Sequence, residues 1–436
     1  LKIHFVGIGG IGLSAIAKFL ISDGHQITGS DVKSSKITEG LEKLGVKITI
    51  PHNRKAIDNQ DLVIYSAAVK PNNPELKEAR HKGIQVITRL EALKLVLNDK
   101  KVFSVCGAHG KSTTTAILAE ILGSSALIGA ESKAMDTNAR TVKSDENLMV
   151  FEADESDGSF LNSNPYCAIV TNAEPEHMEY YDYDLEWFHE CYTDFLNKAA
   201  IRVINGEDEF LSKYTKKCEK LLPSKDIKNI GYEIRDGEPY TCFELRDMGR
   251  FCVWGFGEHI ALDASLAILA ASHEIEIEDI RTNLLKFKGN KKRFDILVNT
   301  KEYVLIDDYA HHPTEIEATL NSAKEFAKLG GLGKITAVWQ PHKWSRTLDN
   351  LEHFRSCFAG VDKLYILPVW AVNEEPRELD FEALFSVYGA KCVDKVKRDG
   401  DALNFIIGDE VVATTAEGVM IGFGAGDITY QLRGQK

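Results

Sequence analysis

Short apolar runs alternate with helical spacing along almost the whole chain. Ile3–Val6, Ile27–Gly29, Val46–Ile50 and Leu62–Tyr65 have strand length, and Ile11–Ser22 between the first two has the spacing of a helix. A second start comes at Lys101–Cys106, where a strand runs into a glycine-rich turn and a helix from Lys111. Leu148–Ala153 and Ala168–Thr171 continue that series as buried strands. A third start comes at Tyr303–Ile306, followed by loop and helix and then by Ile335–Trp339, Lys363–Leu367 and Gly418–Phe423. Strands separated by helices predict α/β architecture with mainly parallel sheets. Three strand–turn–helix restarts predict three domains, 1–100, 101–294 and 295–436, with basic Lys286–Arg293 (KFKGNKKR) as the second hinge.

Composition narrows the class. A chain of 436 residues exceeds one ordinary core, and 44% hydrophobic with 27% charged is a globular balance. No apolar run reaches the roughly eighteen residues of a membrane span, and Leu1–Gly7 has no basic n-region of a signal peptide. Eight cysteines lie scattered without a C-x-x-C pair, most in apolar or strand-like surroundings such as VFSVC around Cys106 and RFCVW around Cys252. They read as free thiols of a reducing cytoplasm rather than a disulfide frame or zinc site. The net charge of −13 argues against general affinity for nucleic acid or anionic membrane. An acidic protein that binds anions must use local devices.

Two such devices follow predicted strands. Gly7-Ile8-Gly9-Gly10-Ile11-Gly12 lies between a strand and a helix, where glycines let the backbone approach a pyrophosphate facing free N–H groups. Asp31 ends the second strand, near the spacing at which a carboxylate meets a ribose hydroxyl. The glycines leave the nucleotide open, with NAD the rival to a UDP-type ligand. The second device is Gly107-Ala108-His109-Gly110-Lys111-Ser112-Thr113. Lys111 can neutralise terminal phosphate charge and Ser112 can ligate Mg²⁺, although Val105 stands where the ordinary phosphate loop has its first glycine.

Acids and histidines gather after later strands. Glu152-Ala153-Asp154-Glu155-Ser156-Asp157 places four carboxylates in six residues, a solvated turn unless cations offset them. Thr171-Asn172-Ala173-Glu174-Pro175-Glu176-His177 supplies another possible metal ligand from the next strand end. In the last third, Asp307-Asp308-Tyr309-Ala310-His311-His312-Pro313, Gln340-Pro341-His342-Lys343-Trp344-Ser345-Arg346-Thr347 and Gly422-Phe423-Gly424-Ala425-Gly426-Asp427 occupy equivalent places after strands. Three such loops point to one shared site, with Lys343 and Arg346 offering cations to an anionic substrate.

Taken together, GIGGIGLSAIA, GAHGKSTT, EADESDGSF, TNAEPEHM, FKGNKKRFD, DDYAHHPTE, QPHKWSRT and GAGD make the chain resemble the Mur ligases of bacterial cell-wall synthesis, nearly end to end. GIGGIGLSA looks more like the alanine-adding branch than the peptide-recycling one. The resemblance implies a Rossmann-like UDP-binding domain, a P-loop-type ATPase domain and a Rossmann-like carboxyl-terminal domain that closes over the site. It implies ATP and Mg²⁺ as cofactors, UDP-N-acetylmuramate and L-alanine as partners, and a monomer or weak homodimer. By motif position, Gly107, His109, Gly110, Lys111, Ser112, Thr113, Asn172, His259, Asp263, Arg293 and Asp308 would bind ATP. Ser112, Glu152 and His177 would hold the metal. Gly7, Gly9, Gly10, Gly12, Asp31, Ser66, Glu155, Ser156, Lys343 and Arg346 would hold the UDP substrate, and Lys111, His177, His311 and Arg346 would serve the chemistry. The chain departs from the family pattern at Ala108 and Ser112 (usually Thr), Ile260 and Asp263 (usually Asn) and Lys343 (usually Arg). An NAD-linked dehydrogenase leaves Gly107–Ser112 and the acidic cluster unexplained.

Overall fold

The computed structural model describes residues 1–143, 147–156, 158–176, 178–372 and 374–435. The chain divides into two compact units, Leu1–Asp226 with Asp263–Phe287, and Ile227–Leu262 with Lys288–Lys436.

The first unit opens with five parallel strands: β1 (Lys2–Val6), β2 (Gln26–Ser30), β3 (Lys47–Thr49), β4 (Leu62–Tyr65) and β5 (Gln85–Thr88). They lie in the order β3-β2-β1-β4-β5. Helices α1 (Ile11–Ser22), α2 (Lys36–Lys43), α3 (Pro74–His81) and α4 (Arg89–Leu97) connect them. β1 is apolar at most of its positions because it is central and covered on both faces, with Ile3 and Phe5 in one core cluster and Val6 in another. The strand order reverses beside β1, so a crevice opens at the carboxyl ends of β1 and β4, where the Gly7–Gly12 turn lies.

A second sheet of this unit contains β6 (Lys101–Cys106), β7 (Ser125–Ser132), β8 (Thr137–Arg140), β9 (Leu148–Glu152), β10 (Cys167–Val170), β11 (Ile201–Asn205) and β12 (Glu219–Leu221), in the order β12-β11-β10-β6-β9-β7-β8. All pairs are parallel except the β7–β8 hairpin. Helix α5 (Lys111–Leu122) follows β6, with α6 (Leu185–Lys198) and the short α7 (Pro223–Asp226) later. An aromatic cluster of Phe160, Tyr181, Phe188, Tyr192 and Phe195 lies fully buried beside α6. From it the Tyr181 hydroxyl donates to the Glu155 carbonyl at 2.6 Å, fixing the acidic loop from below.

In the second unit β13 (Ile227–Arg235), β14 (Glu238–Leu245) and β15 (Arg250–Trp254) form an antiparallel sheet. Helix α8 (Glu258–Ala271) starts after it, and α9 (Ile277–Leu284) belongs to the first unit, where Asn283 donates to the Ile121 carbonyl at the end of α5. The remaining strands are β16 (Asp295–Asn299), β17 (Tyr303–Asp308), β18 (Ile335–Trp339), β19 (Lys363–Ile366), β20 (Lys391–Cys392), β21 (Lys395–Asp399), β22 (Ala402–Ile407), β23 (Glu410–Thr415) and β24 (Gly418–Phe423). They make a mainly parallel sheet, β16-β17-β24-β18-β19-β20, and a separate antiparallel one, β21-β22-β23. Helices α10 (Pro313–Gly330), α11 (Trp344–Asp349), α12 (Leu351–Cys357), α13 (Phe381–Leu384) and α14 (Ile428–Leu432) accompany them. Trp339, fully buried at the end of β18, stacks on Phe354 of α12 at 4.8 Å and anchors this core.

The expected α/β architecture with mainly parallel sheets is what the chain adopts. The free-thiol expectation fails at one pair. Cys242 of β14 and Cys252 of β15 stand directly opposite in the antiparallel register and are joined as a disulfide. They stand ten positions apart in sequence, and hairpin pairing brings them together. Cys106, Cys167, Cys191, Cys218, Cys357 and Cys392 are free. Among the described residues no helix is long and apolar enough to cross a membrane.

Candidate active site

The Gly107–Gly110 turn passes from the carboxyl end of β6 into α5, whose first residue is Lys111. Gly107 has φ +137°, and a Cβ there would stand 2.1 Å from Thr171 Oγ1 and 2.9 Å from the Asn172 carbonyl oxygen. Close approach as well as backbone conformation therefore requires glycine. Thr171 and Asn172, just past β10, clamp the turn: the Thr171 hydroxyl donates to the His109 carbonyl at 2.5 Å, and Asn172 accepts from His109 N–H at 3.1 Å while donating to its carbonyl at 2.9 Å. Asn172, which the resemblance placed among the ATP ligands, holds the loop backbone. The His109 ring faces Glu174 and Glu176 at 3.4 and 3.7 Å. Gly110 opens α5 at φ +79°, and a Cβ on it would lie 2.3 Å from Asp263 Oδ1, so Asp263 also lies against the turn. Thr113 occupies the first turn of α5.

Lys111 reaches Glu155 Oε1 at 2.8 Å, and the pair is largely buried. Burial opposes the lysine charge, but the neighbouring carboxylates, Glu155 foremost, outweigh it and hold the ammonium above its ordinary range. Burial likewise raises the Glu155 carboxyl, to about 7, even against the pull of Lys111. Glu155, expected to touch the UDP substrate, meets the phosphate-loop lysine. Ser156 lies next to it, its N–H donating to Asp154 at 3.0 Å.

Ser112 donates to Glu152 Oε1 at 2.9 Å, and Gly129 N–H donates to the other oxygen at 2.6 Å. Burial raises the Glu152 carboxyl, with Lys111 and these two donors opposing. The hydroxyl of Ser112 and the carboxylate of Glu152 thus meet at the start of α5 and provide hard oxygen donors suited to Mg²⁺. His177, the third expected ligand, lies outside the described residues. Among the described residues no group of three or more His, Cys, Asp or Glu side chains is arranged to hold a metal.

In the amino-terminal crevice Gly7 has φ +83°, and its added Cβ would lie 3.1 Å from Ser66 Cβ. Gly9 N–H donates to Asp31 Oδ2 at 2.7 Å, and Val32 N–H donates to Oδ1 at 2.7 Å. Asp31, read as a ribose ligand, therefore braces the glycine turn. Gly10 caps α1 without a side-chain hydrogen bond, and Gly12 in the first turn lies against Arg89. The sequence-predicted residues Gly7, Gly9, Gly10, Gly12, Asp31 and Ser66 thus gather in one crevice.

In the second unit the register Asp308↔Phe423↔Trp339 aligns three strand ends, so the loops beginning at Tyr309, Gly424 and Gln340 emerge side by side. Gln340 ties two of them, donating to Asp427 at 2.6 Å and accepting from Ile428 N–H at 3.1 Å. Asp308 accepts from Phe294 N–H at 2.6 Å and Ala310 N–H at 2.8 Å. Burial nevertheless raises it to about 7, with Arg293 opposing. The Arg293 guanidinium lies 5.2 Å from the Tyr309 ring centroid. His311 faces His342 with ring centroids 5.6 Å apart, and His342 Nδ1 meets Arg346 Nη1 at 2.9 Å. Burial lowers both histidines, His342 to about 4 with His311, Arg346 and Lys343 adding to the effect. His342 therefore stays neutral near pH 7 and can accept from Arg346. Lys343 is held at φ +66°, its N–H on the Trp370 carbonyl at 2.9 Å, a left-handed conformation rare for a side chain of its size. Glu374 accepts from Ser345 N–H at 3.1 Å and also from Trp344 N–H, closing the start of α11. His259 is exposed in the first turn of α8, beside Gly257.

Sequence reasoning passed over Arg89, Gly129, Glu374 and the Thr171 clamp. A lone glycine inside the strand SALIGAES is the local mark of close approach at Gly129. The T-x-x-E capping box at Thr88–Glu91 marks the helix start that carries Arg89. Nothing in the sequence marks Glu374.

Residues 2–101, 105–241 and 292–412 match the families described as "Mur ligase family, catalytic domain", "Mur ligase middle domain" and "Mur ligase, glutamate ligase domain" respectively. The chain is 56% identical over 433 residues to a UDP-N-acetylmuramate–L-alanine ligase of Campylobacter curvus (strain 525.92), covering 99% of each. It is 54% identical over 437 residues to the ligase of the same name from Helicobacter pylori (strain P12), covering all of this chain and 96% of the relative. Among solved structures, the UDP-N-acetylmuramate-alanine ligase of Thermotoga maritima superposes with TM-score 0.80 at 27% identity, covering 99% of this chain and 97% of that one. A murein peptide ligase of Psychrobacter arcticus 273-4 shares the fold, with TM-score 0.62 at 20% identity over 98% of this chain and 96% of that one. The two glycine turns, the Lys111 loop and these full-length likenesses agree, and the chain belongs to the Mur ligase family.

Proposed function

We propose that the chain joins L-alanine to the lactyl carboxylate of UDP-N-acetylmuramate, with ATP converted to ADP and phosphate, in peptidoglycan precursor synthesis. The observation that carries this reading is a phosphate loop with Lys111 and the Ser112–Glu152 pair at its helix start, in a chain 54–56% identical end to end to ligases of that name.

A carboxylate oxygen of the lactyl group attacks the γ-phosphorus, the bond to the β–γ bridging oxygen breaks, and ADP leaves. The alanine amine then attacks the acyl-phosphate carbon, the C–O bond to phosphorus breaks, phosphate departs and the amine loses a proton. Lys111 stands in the helix-start position where an ammonium offsets charge spreading over the transferring phosphoryl group. Its contact with Glu155 holds it extended until phosphate oxygens replace that carboxylate. The N–H groups of the Gly107–Gly110 turn, stiffened by Thr171 and Asn172, supply fixed dipoles to the phosphates. Ser112 and Glu152, with His177, would hold Mg²⁺, which when bound neutralises phosphate charge. In the second unit His311, Lys343 and Arg346 would face the substrate anions, Arg346 being oriented by neutral His342, and His259, Arg293 and Asp308 would complete the ATP site. Gly7, Gly9, Gly10, Gly12, Asp31 and Ser66 would hold the UDP end.

On this reading 1–100 would bind the UDP substrate and 101–294 would bind ATP, with 295–436 as the third domain, and the acyl phosphate must be kept from water. The enzyme is read as cytoplasmic and as a monomer or weak homodimer, and its net charge of −13 argues against general affinity for nucleic acid or anionic membrane. Phosphate release should require ATP, Mg²⁺, UDP-N-acetylmuramate and L-alanine together. Release undiminished by omitting the sugar nucleotide contradicts the reading.

A further inference from the structure

Two carboxylates of the second unit face each other. Asp295 and Asp307 are directly opposite in the antiparallel register of β16 and β17, and both are almost fully buried. Like charges opposed in this way repel, and a buried pair needs a cation between them. Arg433, at the end of α14, supplies one. Its Nε and Nη2 donate to Asp307 Oδ2 at 3.0 and 2.8 Å, and Nη2 also donates to Asp295 Oδ2. The Thr429 hydroxyl adds a bond to Asp307 Oδ2 at 2.6 Å. Burial opposes the arginine charge, but the two carboxylates, Asp295 foremost, outweigh it and hold the guanidinium above its ordinary range. Burial raises the Asp307 carboxyl, with Thr429 and Arg433 opposing. The function proposed above gives no task to any of these residues.

The same cluster reaches the segment that carries Arg293. Asp295 Oδ2 also accepts from Lys292 N–H at 3.1 Å, and the Lys292 ammonium lies 5.0 Å from the ring centroid of Tyr430 in α14. Lys292 and Phe294, on either side of Arg293, are left-handed at φ +62° and +45°. Side chains of that size seldom adopt such a backbone, so contacts from outside the segment must hold it. Those contacts include Lys292 N–H on Asp295, the Lys292 carbonyl accepting from Tyr309 N–H at 2.8 Å, and Phe294 N–H on Asp308. Asp295 anchors one side of this frame and β17 the other, and the Arg433 guanidinium closes on both.

We propose that Arg433 is a positioning residue for ATP: by clasping Asp295 and Asp307 it sets the backbone from which Arg293 meets the nucleotide. This rests on Arg293 being an ATP ligand, as proposed above, and names what holds it. Steady-state kinetics compare the wild-type chain with Arg433→Ala, Arg433→Lys, Arg293→Ala and the Arg293→Ala/Arg433→Ala double variant, and thermal unfolding shows that each is folded at the assay temperature. Arg433→Ala should raise KM for ATP about 10- to 100-fold, the worth of a charge-assisted hydrogen bond. Its kcat at saturating ATP and its KM for UDP-N-acetylmuramate should stay within about twofold of wild type. A merely structural role would instead lower kcat through loss of folded chain and leave KM for ATP unchanged. Arg293→Ala should show a similar rise, and the double variant should add little to it, because Arg433 acts through Arg293. Arg433→Lys should fall between, keeping a cation but losing the planar fork. A folded Arg433→Ala chain with the wild-type KM for ATP overturns the proposal, as does a double variant whose two effects multiply. Where alanine prevents folding, a folded Arg433→Lys chain with the wild-type KM does the same. If Arg293→Ala itself leaves KM for ATP unchanged, the reading of Arg293 as an ATP ligand fails, and the proposal with it.

Discussion

Gly107→Ala tests how the phosphate loop is held. The added Cβ must sit at φ +137°, and it would stand 2.1 Å from Thr171 Oγ1 and 2.9 and 3.0 Å from the carbonyl oxygen and nitrogen of Asn172. A left-handed alanine costs about 1–3 kcal/mol. The collision with Asn172 is with backbone, so the Thr171–Asn172 clamp must back away from His109. That loosens its three hydrogen bonds, of which losing two at about 1 kcal/mol each is a fair measure. Together the substitution should destabilise the first unit by about 3–5 kcal/mol. It should raise KM for ATP at least about tenfold through the displaced N–H donors, since one such hydrogen bond to a charged group is worth that factor. UDP binding should be unchanged, because the amino-terminal crevice belongs to a different sheet. Adding Thr171→Ala removes the 2.1 Å contact but leaves the backbone contacts and the strain, so the double variant should recover only a minor part of the stability. Thermal unfolding with steady-state ATP kinetics gives both readouts. A Gly107→Ala chain destabilised by less than about 1 kcal/mol, with KM for ATP within about twofold of wild type, would refute the reasoning.

Other substitutions probe the second unit. Asp308 has a folded-state carboxyl raised to about 7, so the native chain keeps a proton that the unfolded chain has lost, and this contribution to stability is present below about pH 4 and falls away as pH rises to about 7. Asp308→Asn lacks the titration, so the wild-type advantage in urea unfolding should be largest near pH 4 and shrink by about 3–4 kcal/mol by pH 8; a gap that widens with pH would contradict the burial argument. Lys343→Gly should be more stable than Lys343→Ala by about 1 kcal/mol, because glycine accepts φ +66° without the Cβ conflict, while both lose the ammonium and share the same rise in KM for the sugar nucleotide. Equal melting temperatures for the two would show that the backbone there is unstrained.

Strands covered on both faces declared themselves in the sequence. Leu62–Tyr65, Lys101–Cys106, Ile335–Trp339 and Gly418–Phe423 are apolar runs because they lie inside parallel sheets, and their limits match the structure. The antiparallel sheets were hidden. Lys395–Asp399 reads KVKRD and buries only Val396, so nothing in its composition separates it from a charged loop. The Cys242–Cys252 bond was invisible for the same reason, since it depends on the β14–β15 register. At the sites, motif spacing located the glycine turns, Lys111, Ser112 and Glu152, whose geometry follows from a strand feeding a helix. It did not show that Glu155 pairs with Lys111, that Asn172 braces His109 or that Asp31 braces Gly9, because these contacts join separate strand ends.

The central claim is that the muramyl acid itself is phosphorylated before the amide forms. UDP-N-acetylmuramate labelled with ¹⁸O in its lactyl carboxylate, turned over with ATP and L-alanine, reports this directly by mass spectrometry of the released phosphate. Attack of a carboxylate oxygen on phosphorus followed by cleavage of the C–O bond must deliver one labelled oxygen into each phosphate. Phosphate carrying oxygen from ATP and water alone, while the amide product accumulates, would contradict the account.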